Sequence, residues 1–247
     1  MKPALPVWKP AFLPVPQLLV LLLLASFGWS GCELEDPEPG IETEDIISLA
    51  LEQEEVLADG VSRTRLVGTL GPQSDANQNI TFRTEFGQLT GAAANAPTQV
   101  TVAASGKTAE TFLQPGTQVI EEVFVQAEVG GFIDTKSIRF ARAFAEEMRI
   151  TPSKTRISND RIDFLEITVD LFRAVGTPSD GAQVFFTTTS LDSAEITAPP
   201  FVFLDTSTGT VRVSSANGFP GKSTLQVRTN NALGGEIIQE IEVEVFE

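Results

Sequence analysis

The chain has 247 residues, 17 basic and 33 acidic side chains (net charge −16), no His, no Tyr, and Cys32 as its one cysteine. Both tryptophans, Trp8 and Trp29, fall within the first 31 residues; the remainder cannot assemble a His-based triad, a Cys–His dyad, a His/Cys zinc site or an internal disulfide. Acidity of this degree also argues against a nucleic-acid backbone as partner, because Lys and Arg must neutralise its phosphates.

Residues 1–31 carry Lys2 and Lys9, no acidic residue, and a leucine-rich run from Leu18 to Phe27. A positive start, a short apolar stretch and then small residues is the layout of a secretory signal. As a helix, Leu18–Gly31 would reach about 21 Å at 1.5 Å per residue, short of a hydrocarbon core of about 30 Å, so a spanning helix is the weaker reading. Ser30-Gly31-Cys32 then resembles the lipobox of bacterial lipoproteins, although Trp29 stands where that family carries Leu or another aliphatic residue. Small residues at Gly28 and Ser30 also allow a cut by ordinary signal peptidase. The resemblance implies a diacylglyceryl thioether on Cys32 and, usually, an added N-acyl chain; two chains anchor stably where one does not. Cys32 is therefore the one expected site residue, a lipidation site. No catalytic, cofactor or metal residue is expected. The implied location is the cell envelope, lipid-anchored in the outer membrane, on its surface or its periplasmic face.

Residues 33–45 hold seven acidic side chains, two prolines and no base. Mutual repulsion and proline stiffness predict an extended, solvated tether over 32–45. Its acidic residues resemble the export signals of surface lipoproteins in the Bacteroidetes group; a plain spacer is the alternative.

From Ile46 onward the pattern is β. Val123, Val125, Ala127 and Val129 share one face, as do Leu165, Ile167, Val169 and Leu171, and again Ile241, Val243 and Val245. Such a period of two puts one face in a core and one in water. Turn signals separate the runs at Ala58-Asp-Gly60, Gly71-Pro72, Pro115-Gly116, Gly130-Gly131, Asp180-Gly181, Asn217-Gly218 and Gly234-Gly235. The one helical candidate, Ala141–Met148, lies between two strand-rich halves and reads equally as a strand running into a linker.

The halves look like repeats. Ile80–Thr84 matches Val184–Thr188 at an offset of 104, and Ser105–Thr108 matches Thr208–Val211 at an offset of 103. Each half has the size of a seven-stranded immunoglobulin-like sandwich. Leu57-Ala-Asp-Gly-Val-Ser62, Ile80–Leu89, Ala104–Ala109 and the Val-rich strand ending at Gly130-Gly131 resemble bacterial Ig-like domains of the invasin and intimin type. Asp180–Thr188 and Gly221–Val227 continue the resemblance, but Ser158-Asn-Asp160 stands where the Ala-Asp-Gly turn is expected. The expected fold class is all-β: two tandem immunoglobulin-like β-sandwiches, at 46–143 and 144–247. Without a disulfide, core burial must stabilise them, and the fifteen phenylalanines after residue 31 are expected mostly inside.

Little points to chemistry. In Glu54-Glu55, Glu121-Glu122 and Glu146-Glu147 the neighbours face opposite ways on a strand, so no pair makes a local dyad. Asp75–Asn79 begins like an EF-hand loop, yet Ile80 and Phe86 occupy the positions that require Gly and Glu. Calcium between the domains stays open, because Asp and Glu cluster at loop ends. The Glu240/Glu242/Glu244 ladder reads as a charged face that resists edge pairing, or as a surface for a basic partner. The favoured function is non-enzymatic adhesion or a spacer and scaffold role at the envelope, with a protein partner, basic by charge. Second is a glycan-binding surface lipoprotein of an uptake system. Sugar platforms usually stack on Trp or Tyr, which residues 32–247 lack, so polysaccharide ranks below protein.

Overall fold

The computed structural model describes residues 40–247; Cys32, the signal segment and most of the acidic tether lie outside the described residues. The tether's last residues are not extended. Thr43–Ile46 form a single helical turn, α1, held by Gln73 N–H on the Asp45 carbonyl (3.0 Å) and by Ser74 Oγ on the Ile46 carbonyl (2.7 Å). Local charge repulsion is outweighed here by backbone pairing to the loop at Gly71.

In chain order the first half holds β1 (Ile47–Leu51), β2 (Glu55–Leu57), β3 (Thr64–Leu70), β4 (Asn79–Thr84), β5 (Gln88–Leu89), β6 (Gln99–Ala103), β7 (Thr108–Gln114), β8 (Ile120–Val129) and β9 (Phe132–Ala141). The second half holds β10 (Glu147–Pro152), β11 (Arg156–Ser158), β12 (Phe164–Phe172), β13 (Ala182–Ser190), β14 (Ile196–Thr197), β15 (Phe201–Leu204), β16 (Thr208–Ser215), β17 (Gly221–Asn230) and β18 (Glu236–Phe246). The sheets run β1-β3-β7-β5 and β2-β9-β8-β4-β6, then β10-β12-β16-β14 and β11-β18-β17-β13-β15. Each strand of the first half thus has its counterpart nine strands later. All pairings between named strands are antiparallel except β2 on β9 and β11 on β18.

Alternation builds the cores as expected. Val123, Val125, Ala127 and Val129 point inward with Ile80, Phe82 and Leu66 in one core; Leu165, Ile167, Val169 and Leu171 join Val184, Val213 and Val227 in the other. The first core ends at Phe140 and the second begins at Ala145. Residues 141–148 contain no helix, only the end of β9, a short connection and the start of β10.

Three expectations need correction. Among the described residues only Phe82, Phe140 and Phe186 of the phenylalanines are buried; the inward positions are filled by Val, Ile, Leu and Ala. Several outward rings instead sit under guanidinium groups: Arg149 over Phe172 (5.2 Å), Arg156 over Phe246 (4.9 Å), Arg212 over Phe164 (4.5 Å) and Arg228 over Phe185 (5.3 Å). Such pairs hold an aromatic ring on a wet face by covering it with a cation.

The second half does carry the Asp-centred turn of the first. Asp160 Oδ1 accepts the N–H groups of Ile162 and Asp163, both at 2.9 Å. Asp59 Oδ1 does the same with Val61 (2.9 Å) and Ser62 (2.7 Å). The motif is present one residue away from Ser158-Asn-Asp160, with Arg161 (φ 63°) in the left-handed place that Gly60 (φ 77°) fills in the first half. Third, Gly106 and Gly209 are not equivalent. Gly106 turns the chain before β7, whereas Gly209 lies inside β16 opposite Val169. The matching bonds are Leu70 N–H to Lys107 O and Leu171 N–H to Ser207 O, both 2.7 Å.

A junction and cleft between the sandwiches

The connection from β12 to β13, residues 173–181, turns back onto the first sandwich. Ser179, 1% exposed, bonds at three points: its Oγ donates to Ala58 O (2.6 Å) and accepts from Ala143 N–H (2.8 Å), and its own N–H donates to Ala143 O (2.9 Å). Thr177 N–H donates to Asp59 O (3.0 Å), and Asp180 N–H donates to Thr117 O (3.0 Å) while Thr117 Oγ1 donates to Asp180 Oδ2 (2.9 Å). Arg173 Nη1 donates to Phe144 O at 2.7 Å. Gly176, at φ 72°, lies so close that a Cβ would stand 2.6 Å from Asp59 O. Buried backbone groups must find partners, and these do so across the two sandwiches.

Asp59 organises the first-sandwich side. Burial pushes its carboxyl up, but the N–H groups of Ser62 and Val61, the Ser62 hydroxyl and the charge of Arg173 outweigh that and hold it below its ordinary value. An ionised carboxylate is therefore built into the joint.

Beside the joint opens a cleft of about 260 Å³ whose lining includes Arg142, Phe144, Gln183, Phe203 and Asn230. The Arg142 guanidinium donates from Nη1 to Asp180 O at 3.2 Å. No carboxylate among the described residues lies within 4 Å of it, although eight of the eleven arginines are ion-paired.

Several of the acidic residues singled out from the sequence are neutralised by basic side chains. Arg139 bridges Glu55 (3.0 Å) and Glu121 (2.8 Å). Glu242 pairs with Lys222 at 2.6 Å, Glu244 with Arg156 at 3.1 Å, and Glu240 accepts from Gln226 Nε2 at 2.8 Å. β11 covers β18 only from Glu244 to Phe246, so Glu244 lies inside the sheet while Glu240 and Glu242 stand on a stretch of β18 that is open beyond β17. Asn77, in the loop that begins like an EF-hand, accepts Gly106 N–H through its Oδ1 at 3.1 Å, which ties the loop to the next hairpin. Sequence reading saw Asp59 and Asp180 only as turn residues and gave no weight to Ser179 or Arg142. A Ser-Asp-Gly run following Thr-Pro was the available signal, but nothing local says what it touches.

No known family profile matches the sequence, and no curated protein matches it. Among solved structures, invasin, a bacterial integrin-binding protein, matches with a TM-score of 0.56 and 19% identity over 81% of this chain and 39% of that one. The fold is shared with invasin. The Yersinia pseudotuberculosis adhesin InvE matches with a TM-score of 0.55 and 13% identity over 83% of this chain and 60% of that one. The chain therefore spans less than two thirds of the length of either protein.

Proposed function

We propose that this is a non-enzymatic, lipid-anchored protein of the cell envelope, whose tandem Ig-like domains, 46–143 and 144–247, act in adhesion or as a scaffold. The observation that carries the reading is the tandem fold itself, shared over four fifths of the chain with an integrin-binding protein and an adhesin. The joint at Ser179 supports it, because a bonded joint lets two small domains present one continuous surface to a large partner. The lipobox-like Ser30-Gly31-Cys32 supports an anchor on Cys32, with the acidic residues after it as spacer. Residues 32–247 hold 15 basic against 33 acidic side chains, a net of −18, which steers basic protein partners and repels nucleic acid.

Two measurements test this. Mass spectrometry of the N-terminus should find acyl mass on Cys32, and Cys32→Ala should release the protein from the membrane fraction; an unmodified N-terminus at Trp29 or Gly31 overturns the anchor. Titration against envelope proteins and a polysaccharide panel should give saturable protein binding that weakens with salt, since charges are screened beyond about 8 Å at physiological ionic strength. Tight, salt-insensitive binding to one polysaccharide would instead establish the glycan-binding role.

A further inference from the structure

We propose that β15 and the adjoining Arg142 cleft form a docking edge that accepts an extended segment of a partner protein as an added strand, with an acidic side chain of that segment seated on Arg142. The proposal rests on the adhesion reading and names the surface that performs it.

The strand β15 ends its sheet, with β13 on one side only. Pro200 O accepts Phe186 N–H (3.0 Å) and Leu204 O accepts Gly181 N–H (2.7 Å). Alternate residues of an antiparallel strand turn their backbone groups to opposite edges. Phe201 and Phe203 therefore direct both N–H and C=O away from β13, where the described residues offer them no partner. An open row of this kind is what strand addition uses.

Natural edges are usually guarded by charge, Lys or proline. Pro199-Pro200 guards the start of β15, but Phe201-Val-Phe-Leu204 carries no charge. Val202 and Leu204 turn inward, leaving Phe201 (45% exposed) and Phe203 (59% exposed) on the outer face, ring centres 5.6 Å apart and edge to face.

The chain supplies its own control. The strand β6 holds the same place in the first sandwich, and register equates Gln99 with Phe201, Thr101 with Phe203 and Arg83 with Phe185. There the outer face is polar: Arg83 Nε donates to Gln99 Oε1 at 3.2 Å, Arg83 pairs with Glu128, and Thr81 bonds Thr101 at 3.0 Å. The scaffold folds with polar residues at these positions, so the aromatic set on β15 is not needed for folding. Aromatic anchors beside a pocket are the usual centre of a protein interface.

Phe203 also lines the cleft, so a strand added to β15 passes its mouth. Its lining combines Arg142, whose guanidinium has no carboxylate partner among the described residues, with Phe144 and Phe203 for an aliphatic stem and Gln183 and Asn230 for polar atoms. Carboxylate matches the guanidinium fork. Flanking basic residues would match the net negative field, so the segment is an acidic residue within a basic, alternating strand. A second copy of this chain brings the same negative charge and is the less favoured occupant.

The test uses full-length protein in detergent and a labelled synthetic strand of alternating Val and Thr with Lys at both ends and one central Glu, followed by fluorescence anisotropy. Saturable binding is expected, lost when alternate amides of the peptide are N-methylated. Phe201→Gln with Phe203→Thr, the residues of the first sandwich, should weaken it at least about tenfold with an unchanged melt. Replacing the peptide's Glu by Gln should weaken it about fivefold to tenfold, and Arg142→Gln should make the two peptides bind alike. No saturable binding, or equal binding by the Phe201/Phe203 variant, overturns the proposal. So does a dimer of the unliganded protein that the same variant dissolves, which would make the occupant a second copy. If the variant still binds envelope protein, the edge is wrong and the adhesion reading stands; if the wild type binds no macromolecule, that reading falls.

Discussion

Ser179→Ala is the sharpest perturbation of the joint. Its Oγ satisfies two backbone groups at once, Ala58 O at 2.6 Å and Ala143 N–H at 2.8 Å, in a place that is 1% exposed. The variant deletes one atom, retains the Ser179 N–H bond to Ala143 O, and leaves an acceptor and a donor unpaired out of water. Each such group costs about 1–3 kcal/mol, so the expected loss for the two is about 2–6 kcal/mol. For a folded unit of about 200 residues that corresponds to a fall in Tm of about 4–24 °C. Calorimetry suits the measurement, since residues 40–247 contain no Trp or Tyr to report by fluorescence. Small-angle scattering should also show a broader spread of inter-sandwich distances. A melt within about 1 °C of wild type, with unchanged scattering, would refute the reasoning: Ala58 O and Ala143 N–H would then be reached by water and the joint would not be dry.

Further outcomes follow from the same geometry. Gly176→Ala should cost more than the backbone strain of about 1–2 kcal/mol, because its Cβ would meet Asp59 O at 2.6 Å and Asp59 Cβ at 2.9 Å; chemical denaturation reads the loss. Gly60→Ala, whose nearest neighbour would be Thr117 Cγ2 at 3.8 Å, should show that strain alone. Ile167→Ala, fully buried in the second core, should lose about 2–5 kcal/mol and leave amide exchange in the first core unchanged. The Asp59 carboxyl titrates below its ordinary 3.8 in the folded protein, so its contribution is complete above 3.8 and is lost as pH falls through the lower folded value. Asp59→Asn should therefore be less stable than wild type at neutral pH, with the two stabilities converging under acid in melts recorded across that range.

The strand faces could be read directly. Val123 to Val129 and Leu165 to Leu171 alternate cleanly, and a strand has no choice but to send such a set to one side. The likeness of Ile80–Thr84 and Val184–Thr188 also led to two strands, β4 and β13, that hold the same place in their sheets, although register sets Phe82, not Ile80, against Val184. Reading failed where a residue's role is set by a backbone angle or by a distant neighbour. Asp160 performs the turn of Asp59, but Arg161 in the place of Gly60 hid the match. Gly209 looked like Gly106 in sequence yet lies within a strand, because the second half makes its turn at 205–207 instead.

The phenylalanines mark the boundary most clearly. Hydrophobicity alone puts them inside, but alternation had already filled the inward positions with smaller aliphatic residues. Four of the outward rings are covered by Arg149, Arg156, Arg212 and Arg228, while others, Phe201 and Phe203 on β15 among them, stay exposed among the described residues. Ser179 meets Ala58 across 121 residues of sequence, and Arg142 lacks a carboxylate only because of what the packed sandwiches place around it. Period and turn chemistry are local, so the sequence by itself determined the strands, their buried faces and the tandem order. The joint, the cleft and the open edge arise when separate strands pack together, and the tertiary structure alone decided them.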